Sequence, residues 1–98
     1  MNTVNESTIK SFLTTNETCI VMFGASWCGP CRAAKPKVES LSSKTPVPVA
    51  YADIDDTQAT AQSLGIMSVP TFIRFENGKA MTQLVGATDD GLKTLFRI

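Results

Sequence analysis

The sequence predicts one α/β domain of 98 residues, a mixed sheet of four to five strands with helices on both faces. Three observations lead there. Short apolar runs near residues 19–23, 47–52 and 71–75 alternate with segments whose apolar residues recur at helical spacing. Asn77-Gly78 follows the third run and is the strongest hairpin signal in the chain, so the last two strands are antiparallel. The length suffices for a single core, which removes roughly two-thirds of the unfolded surface from water.

Each element follows in turn. Asn5 is a fitting cap for a first helix carrying Ile9, Phe12 and Leu13 on one face. Cys19-Ile20-Val21-Met22-Phe23 is continuous and partly β-branched, as in a strand buried on both faces. A helix is predicted from about Cys28 to Ser43, with a kink at Pro36, because Val38 and Leu41 continue its apolar face. Val47 to Ala52 reads as the second strand. Asp53-Ile54-Asp55-Asp56 ends it, with Asp55 or Asp56 near the cap of a helix over Thr57 to Leu64 that stops at Gly65. Thr71 to Phe75 and about Lys79 to Val85 form the hairpin. Thr88 to Phe96 closes the chain as an amphipathic helix through Leu92, Leu95 and Phe96, weakened by Gly91.

Composition excludes several functions. Nine basic and nine acidic residues cancel, so there is no electrostatic footprint for nucleic acid or an anionic membrane. The start has neither a basic region nor an apolar core of a signal peptide, and no apolar run is long enough to span a bilayer. A cytoplasmic location is the expectation, and there the sequons at Asn5 and Asn16 carry no weight. The chain has no histidine, which removes histidine-based nucleophilic, acid–base and metal chemistry. Asp53 to Asp56 lacks the glycine and terminal glutamate of a calcium loop.

The chemistry-bearing stretch is Ser26-Trp27-Cys28-Gly29-Pro30-Cys31-Arg32. A zinc site commonly takes four ligands, and here there is one cysteine pair with Cys19 placed in a buried strand. A static disulfide across so small a loop adds little stability and is rarely kept in a reducing cytosol. Two inert thiols fit poorly with Gly-Pro at a helix start. A redox pair explains the placement. Cys28 falls at the helix N-terminus, where free N–H groups and the dipole favour a thiolate. Cys31 lies one turn on, facing the same side. Attack by Cys28 on a disulfide and then by Cys31 on Cys28 releases a dithiol. Pro30, with φ restricted and no N–H, suits the first turn. Cys19 reads as a small apolar core residue.

Trp27-Cys28-Gly29-Pro30-Cys31 after an apolar strand, Pro36 in the helix, Val69-Pro70-Thr71, Asn77-Gly78 and Gly86-Ala87 together resemble the thioredoxin family over essentially the whole chain. The resemblance implies a thioredoxin-like fold and a protein-disulfide reductase with Cys28 as exposed nucleophile and Cys31 as buried resolving thiol. It implies a cis Pro70 against the pair and a Val69 backbone that pairs with substrate as an added strand. Trp27, Gly29, Pro30, Ile54, Val69, Gly86 and Ala87 would form the docking rim. Bland roles stand beside these: Ile54 and Val69 as core residues, Gly86 as a turn residue. No bound cofactor and no metal are implied. The implied partners are disulfide-containing proteins and an NADPH-dependent thioredoxin reductase, and the implied state is a monomer serving electron transport and redox homeostasis.

Several positions depart from the family pattern. Met22 and Tyr51 stand where a buried acid and a lysine are usual, Gly24 where an aromatic is usual, and Ser26 where an acid is common. Loss of the acid–lysine pair as a unit is physically coherent, since apolar replacement of a buried ion pair is often neutral or stabilising. It implies a slower resolving step with a steeper pH dependence. The N-terminal strand is expected to be short or missing and the last helix clipped. Two rivals remain: a glutathione-linked or oxidising member of the fold, and a non-catalytic binding module whose rim clamps a partner protein.

Overall fold

The structure, a computed structural model, describes residues 1–98. Its elements run β1 (Asn2–Val4), α1 (Ile9–Thr15), β2 (Thr18–Gly24), α2 (Gly29–Ser42), β3 (Val49–Asp53), α3 (Gln58–Ser63), β4 (Thr71–Glu76), β5 (Lys79–Val85) and α4 (Asp89–Phe96). They build one five-stranded sheet in the order β1-β3-β2-β4-β5. The pairs β1–β3 and β2–β3 are parallel, while β2–β4 and β4–β5 are antiparallel.

β2 lies at the centre, and every residue from Cys19 to Gly24 is buried. That is the reason for its unbroken apolar run: side chains alternate between faces, and both faces are covered. Ile20 and Met22 join Val49, Tyr51 and Phe72 in a core under α2 and α4. Cys19, Val21 and Phe23 join Ala50, Ile73 and Phe75 in a second core, against which Phe12, Leu13 and Leu64 pack. Asn77 and Gly78 have φ of 55° and 80°, the paired positive values of a two-residue hairpin turn.

Four expectations shift. The N-terminal strand, expected to be short or missing, is present and precedes the first helix. β1 is three residues long and buries only Val4, too little alternation to register in the sequence. The second strand starts at Val49 instead of Val47, because Pro48 lacks the N–H that a ladder position needs, and it extends to Asp53, opposite Gly24. Asn5 caps a turn that leads into α1, its Oδ1 accepting from the N–H groups of Ser7 and Thr8 at 2.8 and 3.1 Å. Helix α2, expected to continue through Pro36 as one helix, does so.

The fourth shift concerns α3. Neither Asp55 nor Asp56 caps it, and Thr57 makes no side-chain cap bond. Glu6, between β1 and α1, does so from afar. Its Oε1 accepts from the N–H groups of Ala59 and Thr60 at 2.8 and 3.3 Å, and its Oε2 accepts from the Thr60 hydroxyl at 2.5 Å. That hydroxyl hydrogen bond, followed by the two backbone ones, holds the Glu6 carboxyl below the usual carboxylate range against the opposing effect of burial.

Gly91 reads from sequence as a weak point of the last helix. In the fold it is a close approach: a Cβ there would lie 2.7 Å from Leu84 Cδ1 and 2.7 Å from Thr88 Oγ1. Thr88 Oγ1 is the α4 cap, accepting from Gly91 N–H at 3.2 Å. Arg74 on β4, buried in the sheet, donates from Nη1 to the Leu95 carbonyl at 3.0 Å and so ties α4 down at its C-terminal end.

Candidate redox site

The site forms where β2 ends and α2 begins. Cys28 is the cap residue of α2, in extended conformation, and Gly29 and Pro30 open the helix. The Cys31 N–H donates to Cys28 Sγ at 3.2 Å. Cys28 and Cys31 form a disulfide, their Cα atoms 5.3 Å apart. An N–H aimed at the Cys28 sulfur satisfies one of the helix's unpaired donors.

Cys28, expected to be exposed, is only 6% exposed, against 1% for Cys31. The order of accessibility matches the expectation; the degree does not, since the sulfurs sit behind a rim. Cys28 borders a groove of about 510 Å³ together with Trp27, Gly29, Pro30, Ile54 and Val69. Cys31 does not line it. Cys28 Sγ lies 3.8 Å from the Val69 carbonyl oxygen, and the Val69–Pro70 bond is cis. The Val69 N–H makes no hydrogen bond within the chain, which leaves a donor free for an extended segment laid along it.

Gly86 and Ala87 lie away from the groove's lining. Gly86 N–H donates to the Pro70 carbonyl at 2.9 Å, and the Ala87 carbonyl accepts from Lys37 Nζ at 3.5 Å. Gly86 thus braces Pro70, and Ala87 is tied to α2. Trp27 is 65% exposed, and its indole N–H donates to Asp55 Oδ2 at 3.0 Å. Asp55 is thus a positioning partner that the sequence reading placed only near a helix cap. Ile66, Met67 and Ser68 also line the groove and were missed, and Met67 is 96% exposed. Their signal was faint: Ile66-Met67 is a short apolar pair in Leu64-Gly65-Ile66-Met67-Ser68-Val69, with no periodicity to set it apart.

The usual buried acid and lysine are replaced within one contact. Met22 is fully buried and sits opposite Tyr51 in the β2–β3 register and opposite Phe72 in the β2–β4 register. Gly24 and Tyr51 are sterically matched, because a Cβ on Gly24 would lie 2.9 Å from both Cε1 and Oη of Tyr51. The tyrosine ring fills the space a side chain at 24 would take. Cys19 lies in the core on the opposite side of the sheet from the pair, and burial pushes its thiol pKa up, so it is the less reactive thiol. No cluster of three or more His, Cys, Asp or Glu side chains is arranged to hold a metal, and no helix is long and apolar enough to cross a membrane.

Comparison with known proteins gives a consistent result. The thioredoxin family model matches residues 1–97. Thioredoxin-2 of Pyricularia oryzae is 34% identical over 96 residues, covering 97% of this chain and 56% of that protein. Thioredoxin 1 of Plasmodium falciparum is 35% identical over 93 residues, 94% of this chain and 89% of the relative. A solved structure of Plasmodium falciparum thioredoxin superposes with a TM-score of 0.94 at 32% identity, covering 99% of this chain and 97% of that one. The chain therefore spans little more than half of the fungal relative and most of the other two.

Proposed function

The chain belongs to the thioredoxin family, and from that premise we propose that it is a thiol–disulfide oxidoreductase that reduces disulfides in other proteins. The observation that carries the reading is the Cys28–Cys31 pair at the start of α2, with Cys28 on the groove and Cys31 behind it. A substrate segment lies along Val69, and its disulfide meets Cys28. The Cys28 thiolate attacks one substrate sulfur, and the other leaves as a thiolate. The Cys31 thiolate then attacks Cys28 Sγ, breaking the mixed disulfide and forming Cys28–Cys31. Two electrons pass to the substrate, which departs as a dithiol.

Trp27, Ile54, Val69 and Pro70 serve as the docking rim, with Gly29 and Pro30 shaping the helix start, Gly86 bracing Pro70 and Ala87 tied to α2. An NADPH-dependent thioredoxin reductase is the electron donor that regenerates the dithiol. The 98 residues work as one domain and as a monomer. A reducing compartment suits the dithiol form, and the cytoplasm is the natural one.

The test is reduction of insulin by dithiothreitol, followed by precipitation of the free insulin chains, with the parent beside Cys28→Ser. Clear acceleration by the parent and none by the variant is the expected outcome. A folded parent that fails to accelerate the reaction moves the oxidising or the binding-module reading to the front.

A further inference from the structure

Cys31 must lose a proton before it can attack the mixed disulfide, because the thiolate is the nucleophile. It is 1% exposed and has no share in the substrate groove. A second opening reaches it from the other flank. This cavity, of about 260 Å³, is lined by Cys31, Arg32 and Lys35 from α2, by Tyr51 and Asp53 from β3, and by the Ala25–Ser26 turn. Ser26, Arg32, Lys35 and Asp53 supply polar groups in its lining, and its volume is large enough to admit water.

Lys35 follows Cys31 by four residues, so the two are neighbours on one face of α2. Its ammonium nitrogen sits 4.0 Å from the centroid of the Tyr51 ring. That is a close cation–π contact, and it fixes an otherwise flexible side chain at the cavity. The ring is there because Gly24 leaves it room.

We propose that Lys35 and Tyr51 act together as positioning residues for the resolving half-reaction: the Tyr51 ring holds the Lys35 ammonium at this cavity, its charge favours the Cys31 thiolate, and the Cys31 proton leaves through the cavity to solvent. The step balances simply. The proton passes to water, the sulfur lone pair of Cys31 forms the bond to Cys28 Sγ, and the electron pair of the broken mixed disulfide leaves on the substrate sulfur.

The other groups facing Cys31 are consistent with this. Asp53 is the acid at the cavity, its oxygens accepting from Ser26 N–H at 3.1 Å and from Asp55 N–H at 2.8 Å, and its negative charge is opposed there by the cations of Lys35 and Arg32. Arg32, exposed, lines the same cavity and places a second cation there beside Lys35. β2 and β4 present Met22 and Phe72, which do not titrate. The Tyr51 phenol is kept neutral, since burial raises its pKa and the charges of Asp53 and Asp56 raise it further. It therefore offers Lys35 an uncharged ring face rather than a phenolate.

The proposal rests on Cys31 being the resolving thiol, and its test is an equilibrium measurement that needs no turnover. Cysteine labelled with carbon-13 at Cβ reports the titration of Cys31 by NMR in a Cys28→Ser background. Lys35→Met keeps the aliphatic stem and removes the charge. It is expected to raise the Cys31 midpoint by about one pH unit, equivalent to a tenfold smaller thiolate fraction at neutral pH. Tyr51→Leu is expected to raise it in the same direction, and Tyr51→Phe, which keeps the ring, to leave it in place. An unmoved midpoint in Lys35→Met overturns the proposal. So does a Tyr51→Phe shift as large as that of Lys35→Met, because the hydroxyl rather than the ring would then be the active part. If Tyr51→Leu fails to fold, the other two variants decide. A protein inactive toward insulin but shifted by Lys35→Met would lose the reductase reading and keep the coupling of Lys35 to the Cys31 thiolate.

Discussion

Met22→Asp restores the acid that the family usually places beneath the cysteine pair, and here it should be harmful. Met22 has no exposed surface, and its cross-strand neighbours are Tyr51 and Phe72, neither a cation. Losing the buried methionine side chain removes roughly 2 kcal/mol of burial. A neutral carboxylic acid without partners costs a further roughly 1–3 kcal/mol. The variant should therefore be about 3–5 kcal/mol less stable near pH 4.5, a large share of the roughly 5–15 kcal/mol available to a domain.

The loss should deepen as pH rises, and the sign follows from linkage. Burial raises the folded-state pKa of the new carboxyl above its unfolded value near 3.9. Between those two values the unfolded chain has released its proton and the folded chain has not, so rising pH favours unfolding by up to about 1.4 kcal/mol per unit. Above the folded pKa the penalty is constant. Urea unfolding of the reduced protein at pH 4.5 and 7.5 reads this, with an expected midpoint loss that is clearly larger at pH 7.5. Met22→Leu is the control, costing less than about 1.5 kcal/mol at either pH. Adding Tyr51→Lys to Met22→Asp should recover about 1–3 kcal/mol at pH 7.5. An equal midpoint loss at the two pH values would refute the reasoning, since the carboxylate would then have found water or a partner despite the full burial of position 22.

Two further predictions concern packing and capping. Gly91→Ala should destabilise by about 1–2 kcal/mol despite the better helix propensity of alanine, because the new Cβ meets Leu84 Cδ1 and Thr88 Oγ1 at 2.7 Å; a stability gain in urea unfolding would show that Leu84 moves aside freely. Glu6→Gln should be selectively harmful at neutral pH. The Glu6 carboxyl has a lowered folded-state pKa, so its contribution is present above the unfolded pKa and is lost as pH falls through the folded one. The gap between parent and variant urea midpoints should therefore shrink from pH 7 to pH 3, while Asp89, also lowered by its hydrogen bond and charge contact with Lys37, behaves alike in both proteins. A gap that is constant with pH would mean that the Glu6 charge plays no part in capping α3.

What the sequence by itself determined is the local and periodic part of this protein. A short, partly β-branched apolar run from Cys19 to Phe23 reads as a strand covered on both sides, Asn77-Gly78 carries its own turn, and Cys28 followed by Gly29-Pro30-Cys31 places a sulfur at a helix start. With Val69-Pro70 and the family resemblance, that was enough for the fold, the cysteine pair and most of the groove. Tertiary structure alone decided the rest, because those features join residues far apart in the chain. Glu6 caps a helix that begins more than fifty positions later, Asp55 holds Trp27, and β1 exists through its pairing with β3. Gly24 and Tyr51 look like two separate departures from a pattern until one ring is seen to occupy the space of both. Gly91 looks like a defect until Leu84 is seen against it. Propensity and periodicity report the preferences of neighbours along the chain; steric fit and long-range hydrogen bonds come into being only when the sheet has brought the partners together.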